Sequence, residues 1–208
     1  MFGTHDLALF VASGLLLNLT PGADTLYIVG RSTTQGWRAG AVAALGIGAG
    51  CCVHAVAAAL GLSAILAASA SAFTIVKLIG AAYLIYVGIS LFRERRAIDM
   101  PRPPSTSLQR IFTQGVLTNV LNPKVALFFL AFLPQFVEPY VAEKLPALLF
   151  LGAIFNVNGT LWNLFVAWFA ANVGGRIVGR GRGATWLSRI AGAIFVVLGV
   201  KLALSARD

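Results

Sequence analysis

Long apolar stretches joined by short polar connections make up most of the chain. Each stretch is close to, or longer than, the roughly 20 residues that a helix needs to cross a bilayer. The pattern therefore predicts an all-α, polytopic membrane protein with little chain left for a soluble domain. Its six predicted transmembrane helices lie at about residues 7–29, 40–67, 72–92, 111–136, 146–172 and 186–205.

The first and fourth apolar stretches are interrupted by similar polar segments. The interrupting residues are Asn18, Thr20, Pro21, Gly22 and Asp24 in the first stretch, and Asn119, Asn122, Pro123 and Lys124 in the fourth. A helix break at membrane depth is tolerated only where it is buried in protein or lines a cavity. We therefore expect broken helices 1 and 4 to line an internal site. If helix 1 did not span the membrane, five spans and a cytoplasmic N-terminus would remain.

The positions of the two breaks predict an internal repeat. Residues 1–92 and 111–208 would each hold three helices, joined by a Pro-rich, basic cytoplasmic linker at 93–110. An odd number of spans in each copy forces the two copies into opposite orientations. Paired helix breaks in such a 3+3 inverted repeat point to a transporter whose site lies near the middle of the membrane.

Composition and charge support a membrane protein and set its orientation. The chain is 58% hydrophobic and 11% charged, whereas soluble domains carry about 25% charge. The net charge of +9 would suit nucleic acid, but most of the basic residues lie in the connections between helices 1 and 2, 3 and 4, and 5 and 6. By the positive-inside rule these connections are cytoplasmic and both termini lie outside. We expect no nucleic-acid partner.

Asp24 is the one acidic residue of seven that lies well inside a predicted span. An ionised side chain at the centre of a helix costs about 2.5 to 3.5 kcal/mol on insertion scales, so it needs a partner or a wet cavity. Lys124 is the one basic residue at a comparable depth. The two side chains could form a structural ion pair that holds two helices together.

A functional interpretation treats both breaks as one substrate site. The half-helix that begins after each proline presents unpaired N–H groups and a partial positive charge, which suit a carboxylate. Freed carbonyls and the Asp24 carboxylate suit an ammonium group. The nine interrupting residues together would therefore bind a zwitterion such as an amino acid. Asp24 would also take up a coupling proton, because burial disfavours the charged form of a carboxyl group.

Other polar, aromatic and small positions are expected to serve packing. His54 is interpreted as an interhelical hydrogen-bonding group, with a proton relay as the minor alternative. The phenylalanines that follow Lys124 are interpreted as packing or lipid-facing residues rather than a binding site. Gly46 and Gly50 are spaced for close helix contact rather than for phosphate binding.

The two break motifs resemble those of the LysE/RhtB family of bacterial amino-acid exporters. The similarity rests on Asn18-Leu-Thr-Pro-Gly-Ala-Asp24 and on Asn122-Pro-Lys124 followed by Ala126-Leu-Phe-Phe-Leu and Pro134-Gln-Phe136. The resemblance covers essentially the whole chain. It implies an inner-membrane efflux protein for amino acids or close derivatives, driven by proton exchange and assembled as a homodimer. It does not select one substrate.

Two other classes of protein compete with this interpretation. An intramembrane enzyme would need a second acid near Asp24 or a His-Glu-x-x-His motif, and the sequence has neither. A passive channel or a helper subunit has the same composition as a transporter, and only the dependence of flux on a proton gradient would separate them. No nucleotide-binding loop is present, so we predict no cofactor and no direct use of ATP.

Overall fold

The computed structural model shows an all-helical chain. The structure describes residues 2–20, 22–68, 70–93, 103–138, 140–141 and 143–173, and Arg189 with short pieces between 192 and 204. The helices are α1 (Leu7–Leu19), α2 (Ala23–Gln35), α3 (Trp37–Ala68), α4 (Ala70–Arg93), α5 (Leu108–Val120), α6 (Pro123–Phe132) and α7 (Lys144–Val173). A short 3-10 helix, Leu133–Phe136, extends α6.

The described helices include several that could cross a membrane. By length and composition, α3 and α7 could each cross alone. The pairs α1–α2 and α5–α6 could each form one further span, bent by 56° and 50°. These bends lie at the two predicted breaks. The third apolar stretch, 72–92, lies within α4, whereas most of the sixth, 186–205, lies outside the described residues.

Several helix boundaries differ from the sequence prediction, and two of the differences lie near the breaks. We expected the first broken helix to end near Val29, with Arg31 in a polar connection, but α2 continues to Gln35 and buries both Arg31 and Ser32. The Ser32 hydroxyl donates to the carbonyl of Ile28, so this polar residue is satisfied within the helix. The helix ends at Gly36, whose φ of 82° suits glycine.

The second corrected boundary is the start of α5. The predicted linker extended to residue 110, but α5 begins at Leu108. Ser107 caps this helix, because its hydroxyl accepts a hydrogen bond from the backbone N–H of Arg110 at 3.3 Å. The chain from Pro103 to Ser107 therefore leads directly into the second bent pair.

Glycines bring α3 and α5 into close backbone contact. A Cβ added at Gly46 would collide with the carbonyl oxygen of Phe112, and one at Gly50 would lie 2.7 Å from that of Val116. Gly115 of α5 is equally restricted, since a Cβ there would lie 2.8 Å from the carbonyl oxygen of Ala43. The predicted packing role of these α3 glycines is confirmed, and the contact fixes the position of the second break.

An aromatic core holds α1 against α6 and α7. Phe128, Phe129 and Phe132 of α6 are at most 1% exposed. Phe10 of α1 lies 6.1 Å from Phe132, and Phe155 of α7 lies 4.8 Å from Phe128, measured between ring centroids. Of the two roles considered for these phenylalanines, packing is the one found. The core places the second break next to the end of α1.

Candidate functional site

Lys124 joins the two helix breaks. Its ammonium group donates hydrogen bonds to the carbonyl oxygens of Leu17 at 2.8 Å and Thr20 at 2.9 Å. The Leu17 carbonyl lies in the last turn of α1, where it also accepts a hydrogen bond of 3.2 Å from the backbone N–H of Thr20, and the Thr20 carbonyl follows at the C-cap. A Cβ added at Gly22 would lie 3.8 Å from the same ammonium nitrogen. The break after α1 and the first turn of α6 therefore form one site.

Asp24 lies in the first turn of α2 and faces the second break. One carboxylate oxygen, Oδ2, accepts a hydrogen bond of 2.8 Å from the side-chain amide of Asn119. The other oxygen, Oδ1, is buried and has no hydrogen-bond partner among the described residues. The Asn122 amide is a further neighbour, and Lys124 and His54 lie close enough to act on the carboxylate electrostatically.

The structural ion pair considered from the sequence is not among the described contacts. The ammonium of Lys124 contacts backbone carbonyls, whereas the carboxylate of Asp24 contacts an amide. The opposite charges share the site but bind separate groups. Each charge is therefore held in place without neutralising the other by direct contact.

The helices that begin at the two breaks are capped differently. Asn122 caps α6, because its side-chain oxygen accepts a hydrogen bond of 3.0 Å from the backbone N–H of Lys124. Pro123, at the start of α6, has no N–H to satisfy. Gly22 precedes α2 and offers no side-chain cap. The first N–H groups of α2 are therefore left for another acceptor.

Asn18 and Asn119 each bury a polar atom that lacks a partner among the described residues. For Asn18 this atom is the amide nitrogen Nδ2, a donor, and for Asn119 it is the oxygen Oδ1, an acceptor. Asn119 is 2% exposed. Asn18 lies against α7, where a Cβ added at Gly159 would be 3.2 Å from its amide nitrogen.

The remaining predicted residues of the first break lie in different surroundings. Thr20 is buried, and its hydroxyl donates to the carbonyl of Leu16 at 2.9 Å, so only its own carbonyl contributes to the site. Gly22 lies beside the Lys124 ammonium. Pro21 lies outside the described residues. The structure therefore brings Thr20, Gly22, Asn119 and Asn122 together with Asp24 and Lys124, whereas the described contact of the Asn18 side chain is with α7.

His54, interpreted from the sequence as an interhelical hydrogen-bonding group, lies at the second break. Its Nε2 atom is 2.9 Å from the backbone oxygen of Asn119. That carbonyl belongs to the last turn of α5 and also accepts a hydrogen bond of 2.9 Å from the backbone N–H of Asn122. The hydrogen-bonding role is therefore confirmed, at a place that the sequence did not indicate.

Sequence reasoning missed a polar contact region between α2 and α5. Tyr27, Arg31 and Gln114 form hydrogen bonds there. The missing signal was a periodicity: Asp24, Tyr27, Arg31 and Gln35 recur every three or four residues and therefore share one face of a helix. Ending the first helix near Val29 hid that pattern.

The site can bind a small molecule that has both donors and acceptors. Buried polar atoms in proteins are almost always hydrogen-bonded. Here two acceptors, Asp24 Oδ1 and Asn119 Oδ1, and one donor, Asn18 Nδ2, lack described partners near the breaks. An ammonium group would satisfy the acceptors, and a carboxyl or carbonyl oxygen would satisfy the donor.

Comparison with known proteins gives whole-chain similarities. Residues 15–206 match the family model described as LysE type translocator. The chain is 32% identical to the homoserine/homoserine lactone efflux protein of Salmonella typhi, over 95% of both chains. It is 30% identical to an uncharacterized membrane protein of Bacillus subtilis, over 97% of this chain and 100% of the relative. No solved structure matches this chain.

Proposed function

Since the chain belongs to the LysE type translocator family, we propose that it is a secondary transporter that exports amino acids or close derivatives across the bacterial inner membrane. The observation that carries this proposal is the meeting of two helix breaks around Asp24 and Lys124, with two buried acceptors and one buried donor nearby that lack partners in the part of the chain that the structure describes. Such an arrangement binds small polar solutes inside a membrane protein without covalent chemistry.

The substrate's ammonium group is the principal element that the site recognises. Asp24 Oδ1 and Asn119 Oδ1 would accept its hydrogen bonds, and the negative charge of Asp24 strengthens them. The efflux protein of Salmonella typhi is named for homoserine and homoserine lactone. Both compounds carry a primary ammonium, whereas the lactone has no free carboxylate. This shared group supports ammonium recognition as the common requirement.

A substrate carboxylate would bind at the opposite side of the same site. The first N–H groups of α2 have no side-chain cap, and the Asn18 amide has an unused donor. Both favour an anionic oxygen. The nearby Lys124 ammonium adds a positive charge. Zwitterions would therefore use both sides of the site, and lactones or esters only one.

Transport would be coupled to protons through Asp24. A proton and an ammonium group compete for one carboxylate, because each neutralises it. Substrate binding from the cytoplasm would release the proton, and a proton arriving from outside would release the substrate. This competition gives antiport with a single buried acid, and it needs no cofactor.

The proposed architecture has six spans in a 3+3 inverted repeat, with halves at 1–92 and 111–208 joined by the linker 93–110. The similar bends of 56° and 50° in the two broken pairs support it. The Arg-rich loops would face the cytoplasm and both termini the outside. Assembly as a homodimer stays a prediction from the family resemblance.

The proposal is tested with purified protein in liposomes. Loaded L-homoserine or another small amino acid should leave faster when a proton gradient is imposed, and a protonophore should abolish that stimulation. Asp24→Asn is the matched variant and should remove the gradient effect. Flux that depends only on the substrate gradient would identify a passive channel. An absence of flux for all amino acids released from loaded dipeptides in cells would reject amino-acid export.

A further inference from the structure

A continuous set of polar contacts extends from the candidate site along α2 and α5. Beyond the Asp24–Asn119 hydrogen bond, the Tyr27 hydroxyl donates to the carbonyl of Ile111 at 2.8 Å. Farther along, Gln35 and Thr106 are joined by two hydrogen bonds of 2.8 and 3.0 Å. Ascending positions on α2 thus meet descending positions on α5 and the segment before it. We call this antiparallel contact the α2–α5 seam.

Arg31 is the centre of the seam and is only 5% exposed. One of its terminal nitrogens donates to the carbonyl of Pro104 at 2.9 Å, and the other donates to the side-chain oxygen of Gln114 at 2.8 Å. Gln35 accepts a longer bond of 3.3 Å. The guanidinium carbon lies 5.5 Å from the centre of the Tyr27 ring. These contacts fasten α2 to α5 and to the end of the linker.

Among the described residues, no acid pairs with the charge of Arg31. Its hydrogen-bond partners among the described residues are neutral oxygens, and its buried Nε atom has no partner there. Buried arginines are ordinarily paired with a carboxylate or another anion. A guanidinium and a carboxylate bring two opposite charges together, often through two parallel hydrogen bonds, whereas the oxygens of Gln114 and Pro104 are neutral. A carboxylate that reached Arg31 would therefore compete well with Gln114 and Pro104.

Arg31 also lies in line with the site. It follows Asp24 by two helical turns, which corresponds to roughly 10 Å along α2. It lies toward the end of α2 that, in the proposed orientation, faces the cytoplasm. A solute that passed between α2 and α5 would meet Arg31 first and Asp24 afterwards.

We propose that the α2–α5 seam is the cytoplasmic entrance to the site. Arg31 holds this seam closed and is the residue that first binds the substrate's carboxylate. This inference rests on the proposed function. When a carboxylate replaces Gln114 and Pro104 as the hydrogen-bond partner of Arg31, the contacts that fasten α2 to α5 are lost and the seam can open. The substrate's ammonium then reaches Asp24.

The role of Arg31 in holding the seam closed is tested by cysteine labelling, which requires no knowledge of the substrate. The reporter is Asp24→Cys in a background with Cys51→Ala and Cys52→Ala, and the reagent is the impermeant thiol reagent 2-sulfonatoethyl methanethiosulfonate. Arg31→Gln and, separately, Gln114→Leu should each raise the labelling rate about tenfold from one face of the membrane, since each removes a hydrogen bond to a charged group. Vesicles of both orientations identify that face.

The matched control is Arg38→Gln, which removes an exposed arginine near the same end of the molecule. It should leave the labelling rate unchanged. Gln114→Leu retains the buried charge of Arg31, so its labelling rate tests the seam as an entrance even if Arg31→Gln does not fold. Equal labelling rates in the parent and in both seam variants would overturn the seam as an entrance. Acceleration from the external face alone would overturn its cytoplasmic placement.

The carboxylate role is tested by comparing L-homoserine with L-homoserine lactone in proteoliposomes. Arg31→Gln should raise the KM for homoserine about tenfold, as expected for the loss of a charge-assisted hydrogen bond, and leave that for the lactone nearly unchanged. Equal loss for both compounds would show that Arg31 is only structural. If the wild-type protein exports no amino acid or derivative, the proposed function fails and Arg31 has no substrate carboxylate to receive, while the labelling still decides whether the seam opens.

Discussion

The two helix breaks have the same construction in sequence but satisfy their backbone groups differently. At the second break, Asn122 caps α6 and His54 contacts the Asn119 carbonyl in the last turn of α5, so both helix ends have side-chain partners from the protein. At the first break, Lys124 reaches across to the carbonyls of α1, while α2 begins at an uncapped glycine. The N-terminus of α6 at the second break therefore has a side-chain cap, whereas the N-terminus of α2 at the first break has none.

This difference goes with the placement of the acid at one break and the base at the other. Lys124 serves the first break from the second, and Asn119 serves Asp24 in the same way. Each break therefore completes the other. A transporter that moves one half against the other must change these cross-contacts, whereas the cap of Asn122 can persist.

The largest effect is expected for the acid of the first break. Asp24→Asn keeps the shape of the side chain but removes its charge, so it loses the charge-assisted bond to an ammonium, worth about 1.5 to 3 kcal/mol. Efflux in proteoliposomes should fall about 10- to 100-fold. Asp6→Asn, at an exposed position, is the control. Normal efflux from Asp24→Asn at equal protein levels would remove Asp24 from the mechanism.

The next effect concerns the link between the breaks. Lys124→Met leaves the carbonyls of Leu17 and Thr20 without their ammonium donor, which should lower the free energy of unfolding by about 1 to 3 kcal/mol and impair efflux. Thermal unfolding in detergent and efflux are measured together. Lys124→Arg, which retains the charge, is the control.

The double variant tests whether Asp24 and Lys124 act as an ion pair. Because the ammonium and the carboxylate bind separate groups, the defects of Asp24→Asn and Lys124→Met should add in a double-mutant cycle rather than cancel. Recovery of both folding and export in the double variant would instead restore the structural ion pair as the explanation.

A smaller effect is expected when the first break is made to resemble the second. The φ of Gly22 is −151°, which other residues adopt, and a Cβ there has ordinary contacts with Lys124. Gly22→Asn should cap α2, raise stability by a few tenths of a kcal/mol, and weaken carboxylate binding about two- to fivefold by occupying the helix N-terminus. The affinity for homoserine checks this result, and Gly22→Ala is the control without a cap.

The smallest effect is expected for His54, which contacts the end of α5 at the second break. His54→Leu removes one hydrogen bond to the Asn119 carbonyl, worth about 1 kcal/mol, so efflux should fall less than tenfold. His54→Gln retains a donor and should be closer to wild type. A loss as large as that of Asp24→Asn would make His54 a proton relay instead of a packing group.

The sequence predicted the breaks and most members of the site because these features are local. Proline, glycine and polar residues within an apolar stretch are read directly, and their depth follows from the length of the stretch. The path along α2 was missed because Arg31 and Ser32 looked like a helix end. The Ser32 hydroxyl forms its hydrogen bond within the helix. The buried charge of Arg31 is stabilised by hydrogen bonds to α5 and to the segment before it, which are distant in sequence.

By itself the sequence determined an all-helical membrane protein with two interrupted helices, one buried acid and one buried base, because hydrophobicity and backbone restrictions act along the chain. The tertiary structure decided which atoms meet. The Lys124 ammonium caps α1 rather than pairing with Asp24, and the Arg31 guanidinium faces neutral oxygens, because the glycine contacts of α3 with α5 and the aromatic core fix how closely the two bent pairs approach. Hydrogen bonds depend on those distances, and the order of residues does not contain them.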